Sequence, residues 1–569
     1  MITTSKAKFL CLAACLVWAL PLAAEQPPRA ELITASRIGT TPPMANYLAT
    51  HHPAPHAPVR VFPLRKPSSR PGKGGGGGGG STWTDPVLQT SDDALGSGIS
   101  YSPGTFNIDG ITSVGYVPPD TNISVGNDQI VETVNVDYAI YSTSDGHQIQ
   151  GPLAIHAIFA AATNGLPSNS ICTSVDGGDP IVLFDKIDKV WIISQLAYNN
   201  SFSNNHICMA ISDGPDAFTS KYTAYDFSFG QNLPDYPKMG IWAAGNDWAS
   251  IDATHSGVYL SANMFSHGSK FIGAMMCGFR LSDVTSLACV QNGTGVYSIL
   301  PADLEGNPLL SSSTSPAPQG TAEYFVQFSG SNTLSLYQFI PDYSSKGGTV
   351  TGPVNVGNVA PFHEACGGGA CVPQLNTSTQ LDSLGDRLMY RLSYRNYGSS
   401  SSPNESMVVT HSVQNSSSSN QTGVRWYQLT KPNSPQNSGW GVAQQGTFGP
   451  SDGNYRWMGS IAQDKVGDLG IGYSVSSPTM WPGIAFTGQT PADAASTTAP
   501  NSLEPESLSL FDIGNGAQTS VNRWGDYSSM SVDPADDCTM WYANEYLKST
   551  GSYTNWGTYI TSFKFGGCH

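Results

Sequence analysis

Eight charged residues stand out in a chain where charge is sparse: Asp120, Asp179, Lys238, Asp386, Arg387, Arg456, Arg523 and Asp526. Only 12% of the 569 residues are Asp, Glu, Lys or Arg, so both signs at matching points of a repeated pattern need an explanation. Each lies at or just before the start of an apolar run. Arg387, Arg456 and Arg523 can clamp a carboxylate or phosphate through two parallel hydrogen bonds. Asp179, Asp386 and Asp526 are candidates for acid, base or nucleophile, because two carboxyl groups at suitable separation suffice for glycoside cleavage. Asp120 and Lys238 join the arginines as candidates for substrate binding. Trp457, Trp524 and Tyr527 flank them with rings suited to stacking on sugars. The alternative is structural. An acid ahead of a buried strand also caps a turn, or pairs with an arginine of the next unit, and so fixes register without touching a ligand.

Several familiar chemistries are missing. No G-x-S-x-G elbow, H-E-x-x-H pair, phosphate-binding glycine loop or dinucleotide fingerprint occurs. His156, His206, His255 and His411 leave room for a dispersed Ser/His/Asp set, and thus for a peptidase or other hydrolase as a third reading. Asp533, Asp536 and Asp537 read first as solvated turn acids, with a Ca2+ site as the lesser alternative. No other metal or cofactor is expected.

The elements that carry these residues are strands. From about residue 100 the chain breaks into short apolar runs of period two, punctuated by Gly, Asn, Asp, Ser and Pro. Ile181–Phe184, Asp185–Val190 and Trp191–Ser194 read as strand, acidic turn, strand, and so do the stretches after Ser460 and Met530. Seven such units begin near Asp120, Asp179, Pro237, Glu323, Asp386, Tyr455 and Trp524. Intervals of about 58 to 86 residues suit four strands plus loops. The expectation is an all-β, seven-bladed β-propeller with four-stranded antiparallel blades over residues 100–569. The last strand, around Tyr559–Phe565, is expected to close the ring with one near Phe106–Val114. In such a ring the starts of the innermost strands converge on one face of the central channel, and concave polar sites are where ligands bind. The eight charged residues belong to that face.

The stretches Pro119–Asn122, Gly178–Pro180, Asp235–Lys238, Leu381–Asn396, Tyr455–Ser460 and Arg523–Ser528 resemble a largely uncharacterised family of secreted bacterial β-propeller proteins. The likeness spans about 110–568. It implies fold and secretion and carries no activity to transfer. Ser174–Gly178 is also faintly similar to the first half of a sialidase-type Asp-box, but Pro180 and Ile181 replace its Thr and Trp. Such boxes stabilise turns, so the similarity bears on fold alone.

Residues 1–24 read as a secretory signal: Lys6 and Lys8, an apolar stretch from Phe9 to Leu22, then Ala23-Ala24. A lipoprotein box ending at Cys15 is the lesser alternative. Residues 25–99 read as a basic, Pro- and Gly-rich linker, mostly disordered, with an unbroken glycine run at Gly74–Gly80. Nine of the 26 basic residues but only two of the 42 acidic ones precede residue 81. The propeller part is therefore strongly acidic and unsuited to nucleic acid. No later segment suggests a transmembrane helix. Eight cysteines remain after the signal, an even number that in an exported chain implies disulfides. Their spacing suggests Cys172–Cys208, Cys277–Cys289, Cys366–Cys371 and Cys538–Cys568. The resulting expectation is a secreted, monomeric propeller acting on or binding extracellular carbohydrate, as a glycoside hydrolase or polysaccharide lyase if it is an enzyme. The alternative is a non-catalytic recognition module for a glycan or a cell-surface protein.

Overall fold

The computed structural model describes residues 28–51, 60–67, 83–92, 101–113, 115–126, 128–164, 168–243, 256–305, 317–318, 321–344, 346–399, 402–432, 439–496, 501–506 and 511–569. The expected signal and the glycine run lie outside them.

The fold is an all-β propeller. Its innermost strands are Asn122–Val125, Ile181–Asp185, Asn232–Ala243, Leu300–Leu304, Met389–Asn396, Tyr455–Gln463 and Ser529–Val532, numbered here as blades 1 to 7. Each innermost strand packs beside the next, and the seventh packs beside the first. Blade 7 takes its outer strand from the N-terminal side, where Tyr101–Thr112 pairs antiparallel with Trp556–Phe565. The ring closure read from the sequence is thus present. The fourth unit differs. Its innermost strand is Leu300–Leu304, and Glu323 opens the second strand. Five residues containing Pro301 give too short a run to reveal alternation.

The innermost strands are held in register by short polar side chains. Asn122 Oδ1 and Ser124 Oγ of blade 1 accept from the backbone N–H groups of Val182 (3.0 Å) and Phe184 (2.9 Å) in blade 2. Ser460 of blade 6 does the same for Met530 N–H in blade 7, at 3.0 Å. The chain enters five blades through a residue in the left-handed region: Asp120 (φ 52°), Asp179 (φ 51°), Tyr236 (φ 56°), Ser298 (φ 45°) and Met458 (φ 56°). Non-glycine residues seldom adopt it. Because Ser298 and Met458 share it with the acids, the kink is blade architecture rather than a sign of chemistry. The ring is bridged across its middle: Arg391 of blade 5 reaches the Ile123 carbonyl of blade 1 (3.0 Å) while pairing with Asp303 (2.6 Å).

The stretch read as linker is partly folded. Arg29–Thr40 is a strand wedged between blades 2 and 3, paired antiparallel with Thr223–Phe227 and with Ser286–Gln291. The outer edges of two blades offer unpaired N–H and C=O rows, and this strand satisfies both. Asp85, fully buried, forms an ion pair with Arg425 of blade 5 at 2.7 Å. Proline content suggested disorder, while the β-branched pair Ile33-Thr34 favours a strand and pairing on both edges holds it. All four expected disulfides are present. Among the described residues no helix is long and apolar enough to cross a membrane.

One buried acid gives a testable pH dependence. Glu132 accepts from the Ile111 N–H (3.0 Å) and the Tyr141 hydroxyl (3.1 Å). Burial pushes its carboxyl up to about 7. Folding therefore favours the protonated form, and this contribution is lost as pH rises from the ordinary carboxylate range through about 7. The shift corresponds to roughly 3 kcal/mol. Urea unfolding at about pH 5 and about pH 8 should show the wild-type chain losing stability over that interval and Glu132→Gln losing less of it. Equal losses would remove Glu132 as the source.

Candidate functional site

The innermost-strand starts of blades 1, 2, 3 and 7 bring Asp120, Asp179, Asp235, Lys238, Arg523 and Asp526 together on one face of the ring. Backbone bonds place the acids. Asp120 Oδ1 accepts from the Asp526 N–H at 2.8 Å, and Asp179 Oδ2 accepts from the Tyr236 N–H at 2.8 Å. Asn135 ties two blades: its Nδ2 donates to Asp120 (2.9 Å) and its Oδ1 accepts from the Asp179 N–H (2.7 Å). The register function weighed for these acids is therefore present, and it engages both oxygens of Asp120.

The electrostatics separate the acids. Burial, then the charges of Asp526 and Asp179, hold the Asp120 carboxyl well above its ordinary range. Burial also raises Asp179, opposed by Lys238. Glu545, whose Oε2 accepts from the Gly525 N–H at 2.8 Å, is raised strongly by burial. Asp526 is ion-paired to Arg523 at 2.6 Å. Lys238 is fully buried, with its ammonium 3.6 Å from the Tyr236 ring and 3.7 Å from the Tyr527 ring. Burial pushes it down to about 7, opposed by Asp179, Asp120 and Asp526. Asp235, raised to about 7 by burial, meets Arg65 at 2.8 Å.

A cleft opens beside this cluster, lined by Asp179, Asp235, Arg523 and Asp526 on the blade side and by Phe62, Pro63 and Arg65 opposite. Those last three belong to a strap, residues 60–67, that crosses the face. Arg60 and Val61 pair in parallel with Tyr116 and Val117. Phe62 C=O accepts from Arg523 Nε at 3.3 Å, and Lys66 lies 3.8 Å from Asp386 while donating to the Gly368 carbonyl.

The other sequence candidates do not line the cleft. Asp386 and Arg387 form a buried pair (2.9 Å) closed by the Tyr297 hydroxyl, 2.6 Å from the guanidinium. They adjoin the cluster through Tyr236, whose ring is 4.5 Å from Arg387, but do not line the cleft. Arg456 is buried against Asp452 and Glu506, with its Nε 2.6 Å from Glu506. Trp457 and Trp524 are fully buried, their rings 5.6 Å apart, so neither offers a face to a sugar. Tyr527 is buried too, its hydroxyl donating to the Pro180 carbonyl at 3.0 Å. The acidic turn is internally engaged: Asp537 pairs with Arg395, Asp536 with Lys564 (3.1 Å), and Asp533 accepts from the Trp541 indole (3.1 Å). Asn135, Asp235, Tyr236 and Arg65 were missed. The Asp235–Lys238 motif signalled two of them; Asn135 sits in a hairpin and Arg65 in the supposed linker, where nothing marked them.

No known protein family matches the chain. No curated protein is similar to it in sequence either. Solved structures share its shape weakly. An α-L-arabinanase of Penicillium chrysogenum is 10% identical, covering 86% of this chain and 100% of that one, with a TM-score of 0.31. An α-L-arabinofuranosidase of Fusarium graminearum is 9% identical, with coverages of 85% and 98% and a TM-score of 0.29. The WD40 domain of SCAP from fission yeast is 8% identical, with coverages of 82% and 98% and a TM-score of 0.29.

Proposed function

We propose that this chain is an exported, monomeric propeller that acts on extracellular carbohydrate, with the cleft beside Asp179 and Asp526 as its active site. One observation carries the reading. Carboxyl groups from three blades meet at one cleft in unequal environments, Asp179 raised by burial and Asp526 paired to an arginine. Carboxyls whose surroundings differ in this way are what acid/base work requires. Asp179 is suited to donate a proton to the leaving oxygen, and Asp526 to act as base or nucleophile. Arg523 anchors Asp526, and the buried Lys238 amine, pushed down to about 7, opposes the rise of Asp179 in its charged form.

Purified mature protein, screened against neutral and acidic polysaccharides including arabinan, tests this by reducing ends released and polymer retained. Release that is lost in Asp179→Asn is the expected result. Release by Asp179→Asn and Asp526→Asn at the wild-type rate would overturn the site. A second reading is favoured by the pairing of Asp235, Asp386 and Asp526 to Arg65, Arg387 and Arg523. It is a recognition module for a glycan or a surface protein, and retention without release is its signature.

A further inference from the structure

We propose that residues 60–67 are an autoinhibitory strap, which must leave the axial face before a ligand can enter. The inference rests on that face being the functional site. Three observations carry it. First, the strap bridges distant blades: Phe62 N–H donates to the Val117 carbonyl of the blade 1 approach at 2.8 Å, and Arg65 Nε to the Gly268 carbonyl of blade 3 at 3.1 Å. Lys66 reaches Gly368 and Asp386 ahead of blade 5. Second, two of its three basic residues meet acids of the face: Arg65 holds Asp235, which lines the cleft, at 2.8 Å, and Lys66 stands 3.8 Å from Asp386, which adjoins it. A basic segment laid on an acidic face occupies the charges that an incoming ligand would use. Third, the cleft left between strap and blades has room for about one water molecule, so no sugar ring fits while the strap is seated.

The strap's hold combines one buried ring with polar contacts. Phe62 packs on Tyr116 at 5.8 Å and beside Gly178, while Arg65 lies over Phe202 at 4.9 Å. The two ion pairs reach solvent unequally: the Arg65 and Asp235 side chains are each 13% exposed, while Lys66 is 25% exposed against a fully buried Asp386. Lys66, the more exposed cation, is the one most open to competing charge. Displacement exposes Asp179, Asp235 and Asp526 together.

The test is Arg65→Glu/Lys66→Glu in the full chain, with Arg65→Ala/Lys66→Ala as a milder second variant. A closed site lowers apparent affinity by the fraction of chains that are open, so reversal should raise glycan binding or turnover by at least about 10-fold. A peptide of residues 60–67 added in trans should reverse the gain. Hydrogen exchange reads the strap without any glycan: the Tyr236 and Asp526 amides, bonded to Asp179 and Asp120 beneath it, should exchange at least about 10-fold faster in the variants. Faster exchange and peptide capture with no glycan signal in any variant would uphold the strap and sink the carbohydrate reading. Unchanged exchange with no peptide capture would overturn the strap. So would glycan turnover that falls on charge reversal, since the strap would then complete the site.

Discussion

Asp526→Asn is expected to lower glycan turnover by about 100-fold or more, the usual contribution of a positioned acid or base. The residue lines the cleft, pairs with Arg523, and receives its backbone position from Asp120 in blade 1. Asp179→Asn should cost a similar factor and should also remove the alkaline limb of the pH–rate profile, because a proton donor raised by burial must be protonated to work. Arg456→Met provides the contrast. Its guanidinium is buried against Asp452 and Glu506 away from the cleft, so it should lower the unfolding temperature and leave KM unaltered. A KM that rises in Arg456→Met, with kcat intact in Asp526→Asn, would reverse these assignments.

The largest expected stability loss lies away from the cleft. Arg395 of blade 5 donates to both carboxylate oxygens of Asp537, at 2.9 and 2.7 Å, and each side chain is 1% exposed. Arg395→Met leaves that carboxylate buried and unpaired, which costs about 3–5 kcal/mol. The double variant Arg395→Met/Asp537→Asn should recover much of the loss, because removing the second charge ends the penalty. Asn also tolerates the left-handed backbone at position 537 (φ 58°). Denaturant midpoints of the wild type and both variants measure this. A double variant as unstable as the single one would mean that packing, rather than charge, holds this contact.

The sequence made the repeat legible because hairpins alternate with period two and end in acidic or glycine turns. It also located the face, because topology alone brings the innermost-strand starts together. Side-chain direction was beyond reach. Met458, in the left-handed conformation, breaks the pairing register between Trp457 and Ser460, so alternation could not show that Trp457 turns into the core or that Arg456 turns toward Glu506. The strap was hidden for a different reason. Arg65 and Lys66 gain their partners only from residues some 170 to 320 positions away, and composition near them reads as linker. Asp235 was quoted within a motif, yet its role depends on Arg65 and so stayed unread.

The most direct test of the axial face as the ligand site is a crystal structure of the wild-type and strap-reversed chains soaked with an oligosaccharide that the panel selects. In the strap-reversed chain a sugar hydroxyl is expected within about 3.2 Å of both Asp179 and Asp526. A sugar seated on a blade edge, with the Asp179–Asp526 cleft empty in both chains, would contradict that assignment.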